Sequence, residues 1–327
     1  MPNSPNTQNL NFSHETVLLN ETVAGVLAVK SLNDLQKSGE KKLGVFVDAT
    51  FGRGGHSRLL LNFLTDDSTL VVFDKDPQAI EVANNLAKTD KRVRVVHDSF
   101  ANIKSALQHL NIDSVDGIMA DLGVSSPQLD DAGRGFSFMR DGVVDMRMDT
   151  SCGQSVGEWL MTVDEQTLAN VLYEYGEERH SRRIARAIKQ MSDYNSTLAL
   201  AEVIKKAHPN WQKGKHPATQ SFQAMRIFIN NELDDVQIFL DDCIKVLKPG
   251  GILAVISFHS LEDRIIKRFF NNHSKGYHDG DDKLPIPPIR PKYFGKPCRI
   301  APSEIEIKHN LRARSAYLRF APRLSRC

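Results

Sequence analysis

Short apolar runs that end on an aspartate, separated by helical segments, constrain this chain most. Leu43–Asp48 is one such run, Thr69–Phe73 closes on Asp74, and Gly117–Ala120 closes on Asp121. With Val93–Val96 they read as four strands. His56–Leu64, Pro77–Lys88 and Ile103–Leu110 read as the intervening helices, the second with proline in its first turn. This alternation implies an α/β fold built on a doubly wound parallel sheet. Upstream, Ser13–Val29 reads as an amphipathic helix with Ser13 as its cap and Leu19, Val23, Val26 and Leu27 on one face. Ser31–Lys42 reads as a polar linker.

The alternation then stops. From Ser155 to about Lys215 the pattern is all helical. Thr162–Glu165 has the form of a capping box, Leu168, Val171, Leu172 and Tyr175 follow at helical spacing, and Gly176 ends the helix. A second helix is expected over Glu177–Met191. Two more helices span Pro217–Leu247, Lys248–Gly251 reads as a turn, and Ile252–Phe258 is a strongly apolar strand. The helical segment therefore reads as an insertion within the α/β unit. Residues 1–130 and 217–327 then read as one discontinuous domain, with 131–216 as an inserted helical domain for which substrate recognition is the expected role. Gly276–Pro302 holds six of the fourteen prolines and reads as a long loop or partly disordered arm. The last strand is expected over Ser315–Phe320.

Composition adds limits. At roughly 150 residues per domain, 327 residues suit two domains. The net charge of +2 does not by itself imply nucleic acid, so any such case rests on local clusters. Cys152, Cys243, Cys298 and Cys327 are far apart and have no ligand-spaced histidine, which argues against a disulfide framework and for no metal site. The polar N-terminus does not read as a signal peptide, and no apolar stretch approaches the roughly 20 residues of a membrane span. A cytoplasmic protein with no membrane partner is expected; monomer and homodimer stay open.

Ligands of open α/β sheets sit at the carboxyl ends of the strands. Phe51-Gly-Arg-Gly-Gly-His56 follows the first strand, and its glycines let the backbone approach a ligand. Asp74, twenty positions after Gly54, suits ribose hydroxyls, and Asp121 ends the fourth strand. This pattern fits S-adenosyl-L-methionine and a nicotinamide dinucleotide alike. The missing Gly-x-Gly-x-x-Gly spacing favours a ligand with a carboxylate tail and no pyrophosphate. An ordinary tight turn is the plainer alternative. Phe100, after the third strand, can pack on a purine. Asp121-Leu-Gly-Val-Ser-Ser-Pro-Gln128 puts an acid, the hydroxyls of Ser125 and Ser126 and the rigid Pro127 beside the presumed cofactor. That suits positioning of an exocyclic amine against an electrophilic methyl, although serine and proline also suit a capped turn. His259, Ser260, Glu262 and Asp263 follow the fifth strand, where they can line a pocket or cap the next helix; no general base is assigned.

Asp48–His56, Asp121–Asp130, Gly133-Arg-Gly-Phe-Ser-Phe138, Asp145-Met-Arg-Met-Asp149, His216-Pro-Ala-Thr219 and Ile256–Arg264 together resemble the bacterial small-subunit rRNA cytosine-N4 methyltransferases, the MraW family. The matches run from His14 to Arg319. The resemblance implies a class I (Rossmann-like) methyltransferase fold with an inserted all-helical domain. It implies methylation of N4 of a cytidine in the decoding region of 16S rRNA, with the small ribosomal subunit as partner and S-adenosyl-L-methionine as cofactor. Carried over by motif, Gly54, Gly55, His56, Asp74, Phe100, Asp121 and Gln128 would contact the cofactor, and Ser125, Ser126 and Pro127 would position the base. Leu311 departs from the proline usual in the family's closing motif. Arg179, Arg182, Arg183 and Arg186 form a basic stripe, and Lys308–Arg326, with Arg312 and Arg314, holds six basic residues and no acid. Each can be a solvated face or a contact to RNA phosphate. Other exocyclic amines, such as that of a DNA base, and a non-catalytic RNA-binding assembly factor are the alternatives.

Overall fold

The computed structural model describes residues 16–209, 216–278, 281–286, 288 and 290–325. Among them, seven strands form one sheet: β1 (Val45–Asp48), β2 (Thr69–Asp74), β3 (Val93–His97), β4 (Val115–Asp121), β5 (Leu247–Ser257), β6 (Cys298–Ile300) and β7 (Tyr317–Pro322). Their spatial order is β3-β2-β1-β4-β5-β7-β6. The first five are parallel. β7 runs antiparallel between β5 and β6, so the all-parallel expectation fails at this edge. An apolar run alone carries no strand direction.

The helices are α1 (Leu19–Val26), α2 (Leu32–Ser38), α3 (Gly55–Leu61), α4 (Pro77–Thr89), α5 (Ile103–His109), α6 (Ser126–Asp130), α7 (Val156–Thr162), α8 (Glu165–Gly176), α9 (Ser181–Ile188), α10 (Thr197–Ala207), α11 (Ala218–Ile229), α12 (Glu232–Val246), α13 (Ser260–Lys275) and α14 (Glu304–His309). Side-chain alternation along each central strand divides the core. Phe46, Leu70, Val72, Met119, Ala254 and Ile256 pack on the side of α1 and α3. Val47, Val71, Phe73, Ile118, Leu253 and Val255 pack on the side of α5, α12 and α13. A third core, from Phe136 to Met225, fills the helices between β4 and β5.

Several local expectations change. Ser31–Lys42 is no linker: Ser31 Oγ accepts from Asp34 N, and Leu32 and Leu35 are buried, so two leucines anchor α2. Thr162 ends α7, and Asp164 caps α8 by accepting from Thr167 N at 2.9 Å. Glu177 is left-handed (φ 51°), which delays the next helix to Ser181. Lys248–Gly251 bulges within β5: Leu247 pairs with Val115, and pairing resumes at Ile252 with Gly117. In the proline-rich segment, Phe294 is fully buried, Arg290 pairs with Asp281, and β6 joins the sheet. Ser13 and Lys215 lie outside the described residues.

Candidate active site

The carboxyl ends of β1 to β5 open into one cavity of about 530 Å³. One end is built on the glycine loop. Asp48 is buried beneath the loop and fixes it: Asp48 Oδ2 accepts from Ser57 Oγ at 2.6 Å and Oδ1 from Thr50 N at 3.2 Å. Burial, opposed by those bonds, pushes the Asp48 carboxyl up to about 6. Gly54 makes the left-handed turn (φ 78°), where a Cβ would lie 2.6 Å from the Phe51 ring; it does not line the cavity. Gly55 does, and a Cβ there would overlap the Thr16 hydroxyl. The segment starting at Thr16 thus passes directly over the loop. It is held from the far end of the chain, since Leu18 N donates to Glu306 Oε1 at 2.7 Å.

Asp74 Oδ2 accepts from Gly52 N at 2.7 Å and Oδ1 from Asp76 N at 2.9 Å, so this carboxylate also shapes the loop. Burial pushes it up to about 6 against those two bonds. Phe100 lines the cavity with its ring edge-to-face on Phe239 at 5.2 Å. Asp98 and Thr16 also line it and were not anticipated. Asp98 had a signal, an acid at the end of the third strand two residues before Phe100. Thr16 had none, because its contact is tertiary. His56 is buried, with Nδ1 3.9 Å from Asp121 Oδ2, and burial pushes its imidazole down to about 4.

At the other end, Asp121 N donates to Thr50 Oγ1, and Asp121 Oδ1 has no hydrogen-bond partner. Burial, then the charges of Asp48 and Glu262, push the Asp121 carboxyl well above its usual range. Ser125 and Ser126 line the cavity; Pro127 does not and occupies the first turn of α6. Gln128 is buried and committed within the protein, accepting from Ser125 N at 2.8 Å and donating to Asp76 Oδ2 at 2.8 Å. Arg134, from the Gly133–Phe138 motif, makes a buried ion pair to the same Asp76 oxygen at 2.8 Å and donates to the Arg147 and Met148 carbonyls. That gives the motif a bracing role between β2 and the segment carrying Met148.

Six further residues enter from distant parts of the chain. Arg226 and Glu232 form a two-bond ion pair (2.8 Å each) where α11 meets α12, and both line the cavity. Thr219 lines it, as does Glu262 at the start of α13. Leu311 and Arg312 sit at the mouth, with Arg312 paired to Asp130 at 2.9 Å. Ligand atoms of Glu232, His259 and Glu262 lie within 4.8 Å of one another, a grouping of metal-site size, yet both Glu232 oxygens are engaged by Arg226. Arg179, Arg182, Arg183, Arg186 and Arg314 are exposed and outside the cavity. Arg183 and Arg186 share a separate groove with Lys206 between α9 and α10, and Arg186 meets Glu165 at 3.4 Å. No helix among the described residues is long and apolar enough to cross a membrane.

A family model described as the MraW methylase family matches residues 11–324. The chain is 68% identical over 318 residues to the ribosomal RNA small subunit methyltransferase H of Psychrobacter cryohalolentis, covering 96% of this chain and 93% of that one. It is 54% identical over 313 residues to the protein of the same name from Acinetobacter baumannii, covering 96% and 98%.

Proposed function

This chain belongs to the MraW methylase family, and we propose that it methylates N4 of a cytidine in the decoding region of 16S rRNA. The coarser activity, S-adenosylmethionine-dependent methylation of ribosomal RNA, is that of the family to which it belongs. The observation that carries the finer reading is the continuity of the cavity. One end holds acids and an aromatic ring suited to a nucleoside, and the other holds hydroxyls and carboxylates suited to an amine.

In this reading Asp74 takes the ribose hydroxyls, Phe100 and Asp98 flank the adenine, and the Gly52–Gly55 backbone meets the amino-acid tail. When bound, the cofactor supplies an electrophilic methyl on a cationic sulfur. Buried carboxyls with raised proton affinity suit such a cation, since a nearby positive charge favours their ionised form. Ser125 and Ser126 hold the flipped base so that its amine faces that methyl; orientation of this kind can supply several kcal/mol of the barrier. The target must be unstacked or single-stranded to enter. Gln128 acts one step back, holding the serine loop through Ser125 N.

Residues 131–216 would act as the recognition domain, with Arg179, Arg182, Arg183 and Arg186, together with Arg312 and Arg314, on the phosphates of the small subunit. Such a substrate places the protein in the cytoplasm. Labelled cofactor incubated with small ribosomal subunits or with naked DNA tests the reading. Label on N4 of rRNA cytidine supports it. Label in DNA alone points to another exocyclic amine, and normal cofactor affinity with no transfer points to an assembly factor.

A further inference from the structure

Glu262 is a buried carboxylate of the cavity wall whose place in the chemistry is still open. Its backbone is the third residue of the capping box that begins α13, and Oε2 accepts from Phe258 N at 2.8 Å and His259 N at 3.3 Å. The other oxygen is not consumed by the cap. Oε1 lies 3.0 Å from His259 Nε2 and faces Gly123 of the serine loop, where an added Cβ would be 3.9 Å away. A capping residue needs only one of these oxygens.

The charged groups around it are Asp121 at the end of β4, Arg226 on α11, Glu232 at the start of α12 and His259 on its own turn. Burial raises the Glu262 carboxyl, but the neighbouring His259 and Arg226, with the Phe258 N–H, outweigh it and hold it below the ordinary value. Asp121, on the neighbouring strand end, is driven the opposite way. Two carboxyls with opposed proton affinities, in one cavity, form the pattern of an acid–base pair. Glu232 is not a rival acceptor, because Arg226 engages both its oxygens.

We propose that Glu262 Oε1 accepts the proton lost by the target amine, with His259 as the residue that positions and tunes it. This rests on the cytidine-N4 reading above. Before transfer, Oε1 accepts a hydrogen bond from the amine and turns the nitrogen lone pair toward the methyl. The lone pair then forms the N–C bond as the S–C bond breaks, and the S–C electron pair stays on sulfur. The cationic nitrogen releases one proton to Oε1, leaving a neutral methylated amine and a protonated Glu262. Glu262 gives that proton to water when the product leaves and solvent re-enters the cavity.

The test uses the full chain with small ribosomal subunits and saturating cofactor. Glu262→Gln keeps the side-chain length and a carbonyl oxygen for the cap. It is expected to lower single-turnover transfer by about 100-fold or more, the usual range for a lost proton acceptor. Cofactor Kd by calorimetry, subunit binding and Tm should stay near wild type. His259→Asn should keep transfer measurable but move the acid limb of its pH profile upward, because Glu262 loses the partner that keeps it ionised. Transfer by Glu262→Gln within twofold of wild type overturns the proposal. So does loss of Tm and cofactor binding in parallel with activity, which would make Glu262 a cap alone. If Glu262→Gln does not fold, an unmoved acid limb in His259→Asn overturns it. Failure of the cytidine reading looks different, since wild type itself would then form no N4-methylcytidine.

Discussion

The two ends of the cavity are built differently. The end proposed for the cofactor comes largely from consecutive strand ends between Asp48 and Phe100, with Thr16 and Val17 as outside contributions. The end proposed for the target is assembled from the β4 loop, the α11–α12 junction, the start of α13 and the segment around Leu311, which are separated by up to roughly 190 positions. Loop closure over such distances adds entropy only slowly with length. The cost lies elsewhere: each piece needs its own brace. Arg134 on Asp76, Lys75 on Asp235 and Arg319 on Asp263 are such braces. The contrast predicts that cofactor affinity answers to a few local residues, and that target chemistry can be altered without touching it.

The largest effect on cofactor affinity should come from Asp74. Asp74→Ala removes the proposed ribose acceptor and frees Gly52 N and Asp76 N, so cofactor binding should weaken by roughly 1.5–3 kcal/mol, read by calorimetry. The carboxylate form is the one that binds. Its folded-state value near 6 lies above the ordinary 3.8, so the ionised fraction falls from about nine-tenths at pH 7 to about one-tenth at pH 5. Kd should therefore rise by up to about tenfold over that interval, and Asp74→Asn should flatten the profile. For the apo chain the sign reverses. This raised value stabilises the fold at low pH, and that contribution is lost as pH rises from about 4 through about 6. An unchanged Kd in Asp74→Ala would move the ribose elsewhere.

Next comes Gly55→Ala. The new Cβ meets the Thr16 hydroxyl, and overpacking of this kind costs roughly 1–3 kcal/mol. Cofactor Kd should rise accordingly, and adding Thr16→Ala should restore part of it. No restoration would mean that the segment over the loop does not govern binding.

Ser126→Ala probes the other end. Loss of one hydrogen bond to the base, roughly 0.5–1.5 kcal/mol, should lower kcat by about two- to twelvefold with cofactor Kd unchanged. The reverse pattern would remove Ser126 from the base and erase the contrast between the two ends. The smallest effects belong to the basic groove. Arg183→Ala and Arg186→Ala should each reduce the slope of log affinity for rRNA against log salt by roughly 0.7–0.9. A slope identical to wild type would make this a solvated face.

The same contrast governs what was legible in the sequence. Asp48, Gly55, Asp74 and Phe100 could be read because they fall at fixed offsets from strand ends that the apolar runs mark. Arg226, Glu232 and Thr16 reach the cavity only through tertiary contacts, so no local pattern announced them. Glu262 was legible as a cap or a wall residue, and the structure makes it both. α2 was missed because two leucines suffice to anchor a polar helix. β6 was missed because it is three residues long, mostly exposed and set among prolines. Gln128 and Pro127 were placed in the right loop: Gln128 lines the cavity and also holds the loop through Ser125 N, while Pro127 lies in the first turn of its helix.

The most direct test is nucleoside analysis by mass spectrometry of 16S rRNA from small subunits that lack the modification, before and after incubation with this protein and S-adenosylmethionine. The account predicts one new N4-methylcytidine per subunit, located in the decoding region. A methyl group on any other nucleoside, or none while the cofactor binds normally, would contradict it.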